Sequence, residues 1–183
     1  MGAIQDLAGE LDVEERTLRR AAAQGTLRGA RSGPRRFRLA AGEREYLRDH
    51  WPLLSELRHA LRTERRVRLA VLYGSVARGD EDSDSDLDLL IDTRDERAAY
   101  PLSMSARLEL LVGRRIDLAH LARVEAEAPL LLDQALREGR VLVDRDGLWP
   151  GLEQRRRAIH ARAERSYRRQ MADTTRAIAE LTR

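Results

Sequence analysis

The chain has 183 residues, 34 basic side chains against 31 acidic ones and a net charge of +3, a length that suits one ordinary domain or a catalytic core with small appendages. The basic set is arginine throughout, without a single lysine, and the absence of cysteine excludes a disulfide framework or a thiolate metal site. Residues Met1 to Asp12 lack the basic start and apolar core of a signal peptide, and no apolar run approaches a membrane span, so the expectation is a soluble, cytoplasmic protein.

Charge is unevenly placed. Arg28, Arg31, Arg35, Arg36 and Arg38 cluster early, Arg155 to Arg157 and Arg162 to Arg169 cluster late, and acidic residues gather between Asp80 and Glu96. At the amino end Ile4, Leu7, Ala8 and Leu11 recur at helical spacing. Asp12 followed by Glu15 reads as a capping box opening a second helix over Val13 to Ala23, with Gly25 as its stop. Leu27 to Ala30 and Arg36 to Leu39 can pair around Ser32, Gly33 and Pro34 as a hairpin, giving residues 1–41 the pattern of a winged helix-turn-helix. On that reading Arg16, Arg19 and Arg20 face base edges while Arg35 and Arg36 meet phosphates. The plainer reading is a packing or dimerisation appendage.

Residues 42–66 read as connecting helices broken at Trp51 and Pro52, because proline suits a first helical turn and its predecessor avoids helical dihedrals. Leu53, Leu54, Leu57, Ala60 and Leu61 form an apolar stripe for packing on the sheet that follows. Val67 to Tyr73 is an apolar strand running into Gly74-Ser75-Val76-Ala77-Arg78-Gly79, a turn of small residues where a backbone can approach a phosphate closely. Ser75 adds a hydroxyl, and Arg78 offsets triphosphate charge.

Ten residues separate Ser75 from Asp86, and Asp86-Leu87-Asp88 opens another apolar strand through Leu89, Leu90 and Ile91. Positions two apart on a strand share a face, so Asp86 and Asp88 project together while Leu87, Leu89 and Ile91 point into the core. Such a pair repels itself unless a hard cation with oxygen ligands compensates, as Mg²⁺ does in phosphoryl transfer. The acids and serines from Asp80 to Asp84 read as solvated loop. After a helix over Ala98 to Val112, a strand from Arg115 to Leu121 carries Asp117, a third acid able to complete a metal-binding triad or take the proton of an attacking hydroxyl.

Gly74-Ser75, ten residues, then Asp86-x-Asp88 with Ser85 before it, resembles the signature of the DNA polymerase β nucleotidyltransferase superfamily. From about Val67 to Asp144, including Ile116-Asp117-Leu118 and Leu136 to Leu142, the chain resembles its minimal nucleotidyltransferases. The resemblance implies an α/β (α+β) fold, a mixed sheet flanked by helices, within residues 67–146. It also implies ATP as substrate, Gly74 and Ser75 on the triphosphate, Asp86 and Asp88 on Mg²⁺, and Asp117 as third acid.

Drug-modifying members of that superfamily carry a substantial helical domain after the core, whereas residues 147–183 offer one arginine-rich amphipathic helix with Ile159, Ala163, Tyr167, Met171, Thr174, Ile178 and Leu181 along a stripe. The resemblance therefore implies an antitoxin that adenylylates a tyrosine of a HEPN-type toxin partner. That stripe suits self-association, a partner, or packing on the chain's own core. Two other readings stay open: a stand-alone enzyme acting on a small molecule or RNA end, and a DNA-binding regulator that keeps the core as sensor or scaffold.

Overall fold

Two short helices, α1 (Ala3–Glu10) and α2 (Glu15–Gln24), lead into a hairpin of β1 (Gly29–Arg31) and β2 (Phe37–Leu39), which pair antiparallel. The computed structural model describes residues 3–31, 33, 36–94 and 99–181. The hairpin matches the sequence expectation, but its expected turn residues Ser32 and Pro34 lie outside the described residues, as does Arg35. The expected capping box at Asp12 does not form. The second helix starts two residues late with Glu14 at its cap, because Asp12 takes a left-handed conformation, φ 52°, that reverses the chain between the helices. Gly25, φ 88°, ends α2 as expected, its amide bonding back to Ala21 and Ala22 carbonyls.

The long helix α3 (Glu43–Thr63) is continuous, so the break expected at Trp51 and Pro52 is a misreading. Proline inside a helix costs about 3 kcal/mol. Here Pro52 faces solvent while Tyr46, Leu47, Trp51, Leu54, Leu57 and Leu61 bury one uninterrupted stripe, which outweighs the lost backbone bond.

Strand β3 (Val67–Tyr73) is followed by the five-residue helix α4 (Gly74–Arg78), strand β4 (Leu87–Thr93), helix α5 (Ala99–Val112), strand β5 (Ile116–His120), helices α6 (Leu121–Glu127) and α7 (Pro129–Glu138), strand β6 (Arg140–Asp144), and helices α8 (Leu148–Gln154) and α9 (Arg156–Leu181). The four long strands form a mixed sheet in the order β5-β4-β3-β6, with only the β4–β5 pair parallel. Strand alternation feeds two cores. Ala70, Leu72, Leu87, Leu89 and Ile91 pack with α3, α5 and the amino-terminal helices, whereas Leu69, Val71, Tyr73 and Leu90 pack with α6, α7 and α8. The first core is continuous from Ile4, Leu7 and Leu18 to Leu142 and Val143, so α1 and α2 share it with the sheet. Of the described helices, none is long and apolar enough to cross a membrane.

The stripe on α9 divides in two. Ala163 is buried and Ile159 partly so against the second core, while Tyr167, Met171 and Ile178 are exposed.

Candidate active site

Three strand ends bring the acidic residues together. Strand β3 delivers Tyr73 into Gly74, whose φ of 76° only glycine adopts at little cost, and a Cβ added there would lie 2.1 Å from Asp88 Oδ2. The missing side chain is therefore the space that the Asp88 carboxylate fills. Asp88 pairs in register with Tyr73 on one side and with Asp117 on the other, so both acids project from one face. Asp86 stands just before β4, partly exposed, with the Arg115 guanidinium 3.8 Å away. Burial, then the Asp117 and Asp86 carboxylates, push the Asp88 carboxyl above its ordinary range. Tyr73, buried beneath, has its phenol pushed far up by burial, then by the Asp88 and Asp117 carboxylates.

The turn that follows is held by a residue the sequence reading passed over. Glu138, at the end of α7, accepts hydrogen bonds from the Gly74 amide at 3.1 Å, Arg78 Nη1 at 2.9 Å and Gln134 Nε2 at 2.7 Å. Arg78 also donates from Nε to Asp80 at 3.0 Å, so this expected phosphate ligand is already oriented by two acids. Ser75 is half-buried in the first turn of α4, and its carbonyl accepts the amides of Gly79 and Asp80. Asp82 to Asp84 are exposed, as expected for a loop, but Glu81 is not simply solvated. It bonds His50 Nε2 at 2.6 Å, and His50 stacks on Tyr46.

Behind the turn lies a buried ion pair. Arg140 and Glu43 meet at 2.7 Å, each side chain almost wholly buried, and Arg140 also donates to Ala77 O and Thr26 O while its guanidinium lies over the Tyr46 ring. Tyr46 donates to Val76 O, and Arg28 donates to Ala77 O and to Glu138 O. The last carbonyls of α4 are thus held from the amino-terminal module and from α3. Nothing in the spacing of Glu43, Glu138 and Arg140 signals this, because the partners are 60 to 100 residues apart and meet only once the sheet forms.

The fit to a divalent cation is one of chemistry. Asp86, Asp88 and Asp117 supply hard oxygen donors whose mutual repulsion a cation relieves. Among the described residues, no three His, Cys, Asp or Glu side chains already converge on a point that could hold an ion, so the acids share a face without forming a finished cage.

Of the expected DNA-contacting arginines, Arg16, Arg19, Arg20 and Arg36 line more than one groove of the amino-terminal module. Arg16 and Arg19 pair with Glu14 and Glu15 of their own helix start. Arg20 lines a groove of about 400 Å³ with Arg58, His59 and Arg62 between α2 and α3, whereas Arg19 and Arg36 line a cleft of about 130 Å³ with Arg31 and Phe37.

Comparison with known proteins decides the family. The family model for polymerase beta, nucleotidyltransferase, matches residues 55–147, just over half of the chain. The chain belongs to the polymerase beta nucleotidyltransferase family. Those residues run from the middle of α3 to just past the end of β6, and so contain the glycine turn, all three acids and Glu138. Solved structures overlap this nucleotidyltransferase in part. A chain of a toxin–antitoxin structure with AMP-PNP is 17% identical, covering 71% of this chain and 98% of that one, with a TM-score of 0.47. A chain from a tri-AMPylated HEPN toxin in complex with an MNT antitoxin, from Shewanella oneidensis, is 15% identical over 73% and 99%, TM-score 0.46. A protein provisionally described as a minimal nucleotidyltransferase is 34% identical over 48% of this chain and 91% of its own, TM-score 0.39. No curated protein matches this nucleotidyltransferase.

Proposed function

We propose that this nucleotidyltransferase moves AMP from ATP onto a hydroxyl group presented by another protein, a tyrosine of a HEPN-type toxin, and so acts as an antitoxin. The observation that carries the reading is the openness of the acidic face. Asp117 is exposed on β5, an edge strand of the sheet, and Asp86 beside it is partly exposed. Among the described residues, the helices after β6 pack on α7 and the second core rather than over these acids. An acceptor hydroxyl can therefore enter on a large body.

In this reading Gly74 and Ser75 hold the triphosphate, Arg78 donates to its oxygens, and Asp86, Asp88 and Asp117 hold Mg²⁺. When bound, the metal neutralises the triphosphate and makes the acceptor hydroxyl more acidic. The hydroxyl oxygen forms a bond to the α-phosphorus, the bond from that phosphorus to the bridging oxygen breaks, and pyrophosphate leaves with the electron pair. Asp117, the most exposed of the three acids, accepts the hydroxyl proton.

The test is transfer of labelled AMP from ATP with Mg²⁺ to the protein encoded beside this one, comparing wild type with Asp86→Asn plus Asp88→Asn. Mass spectrometry then locates the adduct. Label on a neighbour's tyrosine, lost in the double variant, is the expected result. Mg²⁺-dependent ATP binding without transfer to any protein would move the acceptor to a small molecule or RNA end. A second reading draws on the cleft lined by Arg19, Arg31 and Arg36, which suits nucleic-acid phosphates. It predicts binding to operator DNA that weakens steeply with salt and in Arg31→Ala plus Arg36→Ala.

A further inference from the structure

Glu138 joins the end of α7 to the glycine turn. Its side chain is 16% exposed and collects a backbone amide, a guanidinium and a carboxamide, all from the glycine turn or its own helix. The main chain beneath it is bonded and closely packed. Arg28 donates to the Glu138 carbonyl, and a Cβ on the next residue, Gly139, would lie 2.3 Å from Ala135 O and 2.7 Å from Val71 Cγ1. The carboxylate therefore stands at a fixed place beside the turn.

That place decides what Arg78 can do. Arg78 sits at the end of a five-residue helix with its side chain more than a third exposed. A free arginine there would spread over many rotamers, and ordering it on a ligand would cost side-chain entropy. Asp80 takes Nε and both oxygens of Glu138 take Nη1, so the guanidinium plane is fixed from two edges. Among the described residues, Nη2 donates to no protein group and remains for a ligand. The same Glu138 oxygen that receives Nη1 also receives the Gly74 amide, which ties the orientation of Arg78 to the opening of the turn that accommodates Asp88.

We propose that Glu138 is the positioning residue of the triphosphate cradle, setting Arg78 and the Gly74 peptide in the orientation that receives the nucleotide's phosphates. The inference rests on the reading that the nucleotide binds at this turn. Glu138 acts through Arg78, so its removal weakens nucleotide binding rather than the chemistry at the acids.

Three variants test it, each checked for a native circular dichroism spectrum: Glu138→Ala, Glu138→Gln and Arg78→Ala, together with the double variant Glu138→Ala plus Arg78→Ala. Affinity for a non-hydrolysable ATP analogue with Mg²⁺ is measured by calorimetry, and KM and kcat in the AMP-transfer assay. Loss of the charge-assisted contact that orients Arg78 predicts roughly a tenfold weaker analogue affinity and higher KM for Glu138→Ala, with kcat changed by less than about threefold. Glu138→Gln keeps an acceptor for the Gly74 amide and falls between. The deciding result is non-additivity: in the Arg78→Ala background, Glu138→Ala weakens binding by less than about twofold more. Unchanged affinity in Glu138→Ala and Glu138→Gln, or fully additive losses, overturns the proposal. Wild type that binds no analogue with Mg²⁺ overturns it differently, by removing the nucleotide from this turn altogether.

Discussion

The two edges of the four-stranded sheet both carry charge and treat it in opposite ways. At β6 the charge is paired and sealed: Arg140 and Glu43 are almost fully buried, and the chain at Gly25 and Thr26 closes the edge through bonds between Val141 N and Gly25 O and between Thr26 Oγ1 and Val141 O. At β5 three acids outnumber their counter-charge and stand open, with Asp86, Asp88 and Asp117 repelling one another on a partly solvated face and the exposed Arg115 3.8 Å from Asp86. A buried ion pair contributes little unless its remaining donors find partners, and Arg140 places two of them on the carbonyls of Ala77 and Thr26. The sealed edge holds the glycine turn still. The open edge leaves a need that only a ligand can meet.

Breaking the sealed edge should have the largest effect. Glu43→Ala leaves Arg140 buried without its carboxylate and is expected to cost about 3–5 kcal/mol in urea unfolding. The double variant with Arg140→Met should recover part of the loss, and strict additivity would show that the pair is not the source. Next comes Gly74→Ala, which places a methyl group against Asp88 Oδ2 at a positive φ. A cost of about 1–3 kcal/mol is expected, partly relieved by adding Asp88→Ala, since that removes the clash but not the backbone strain.

The contrast also explains what could be read in advance. The open edge is written locally: Gly74-Ser75 and Asp86-x-Asp88 follow strands recognisable from their apolar runs, and Val67 to Tyr73 forms as a strand within the expected bounds. Asp117 was reachable from the short apolar run around it. The sealed edge is written non-locally. Arg28, Glu43, Glu138 and Arg140 look like ordinary charged residues of arginine-rich helices and loops until β6 pairs with β3. Pro52 misled for a related reason, because the stripe that carries α3 through it is stabilised by the sheet and the amino-terminal helices, which no local preference reports. The capping box failed on one residue, Asp12, whose left-handed conformation turns the chain instead of capping it.

A smaller effect, of opposite sign, is expected from the open edge. Asp88→Asn removes one of three like charges, and in metal-free buffer it should raise stability by about 1 kcal/mol. If Asp88 holds the metal as proposed, the same change should lower AMP transfer by at least about a hundredfold, because it removes an oxygen charge from the metal's ligands. Mg²⁺ should raise the melting temperature of wild type and not of the variant. An equal Mg²⁺ shift in both would separate the metal from Asp88.

The smallest effect belongs to the far end of α9, which touches neither edge. Tyr167, Met171 and Ile178 are 51%, 48% and 56% exposed, whereas Ala163, one turn before them, is 1% exposed where the helix leaves α7. Substitutions on a solvated surface usually change stability by no more than about 0.5 kcal/mol. Met171→Ser plus Ile178→Ser should therefore leave the unfolding midpoint of dilute protein within that range. An association through the stripe behaves differently, since a bound partner or second copy stabilises the fold by mass action. Wild type would then melt higher as its concentration rises, and the double variant would not. A flat melting temperature in both over a hundredfold range would show that the exposed stripe contributes nothing to this chain on its own.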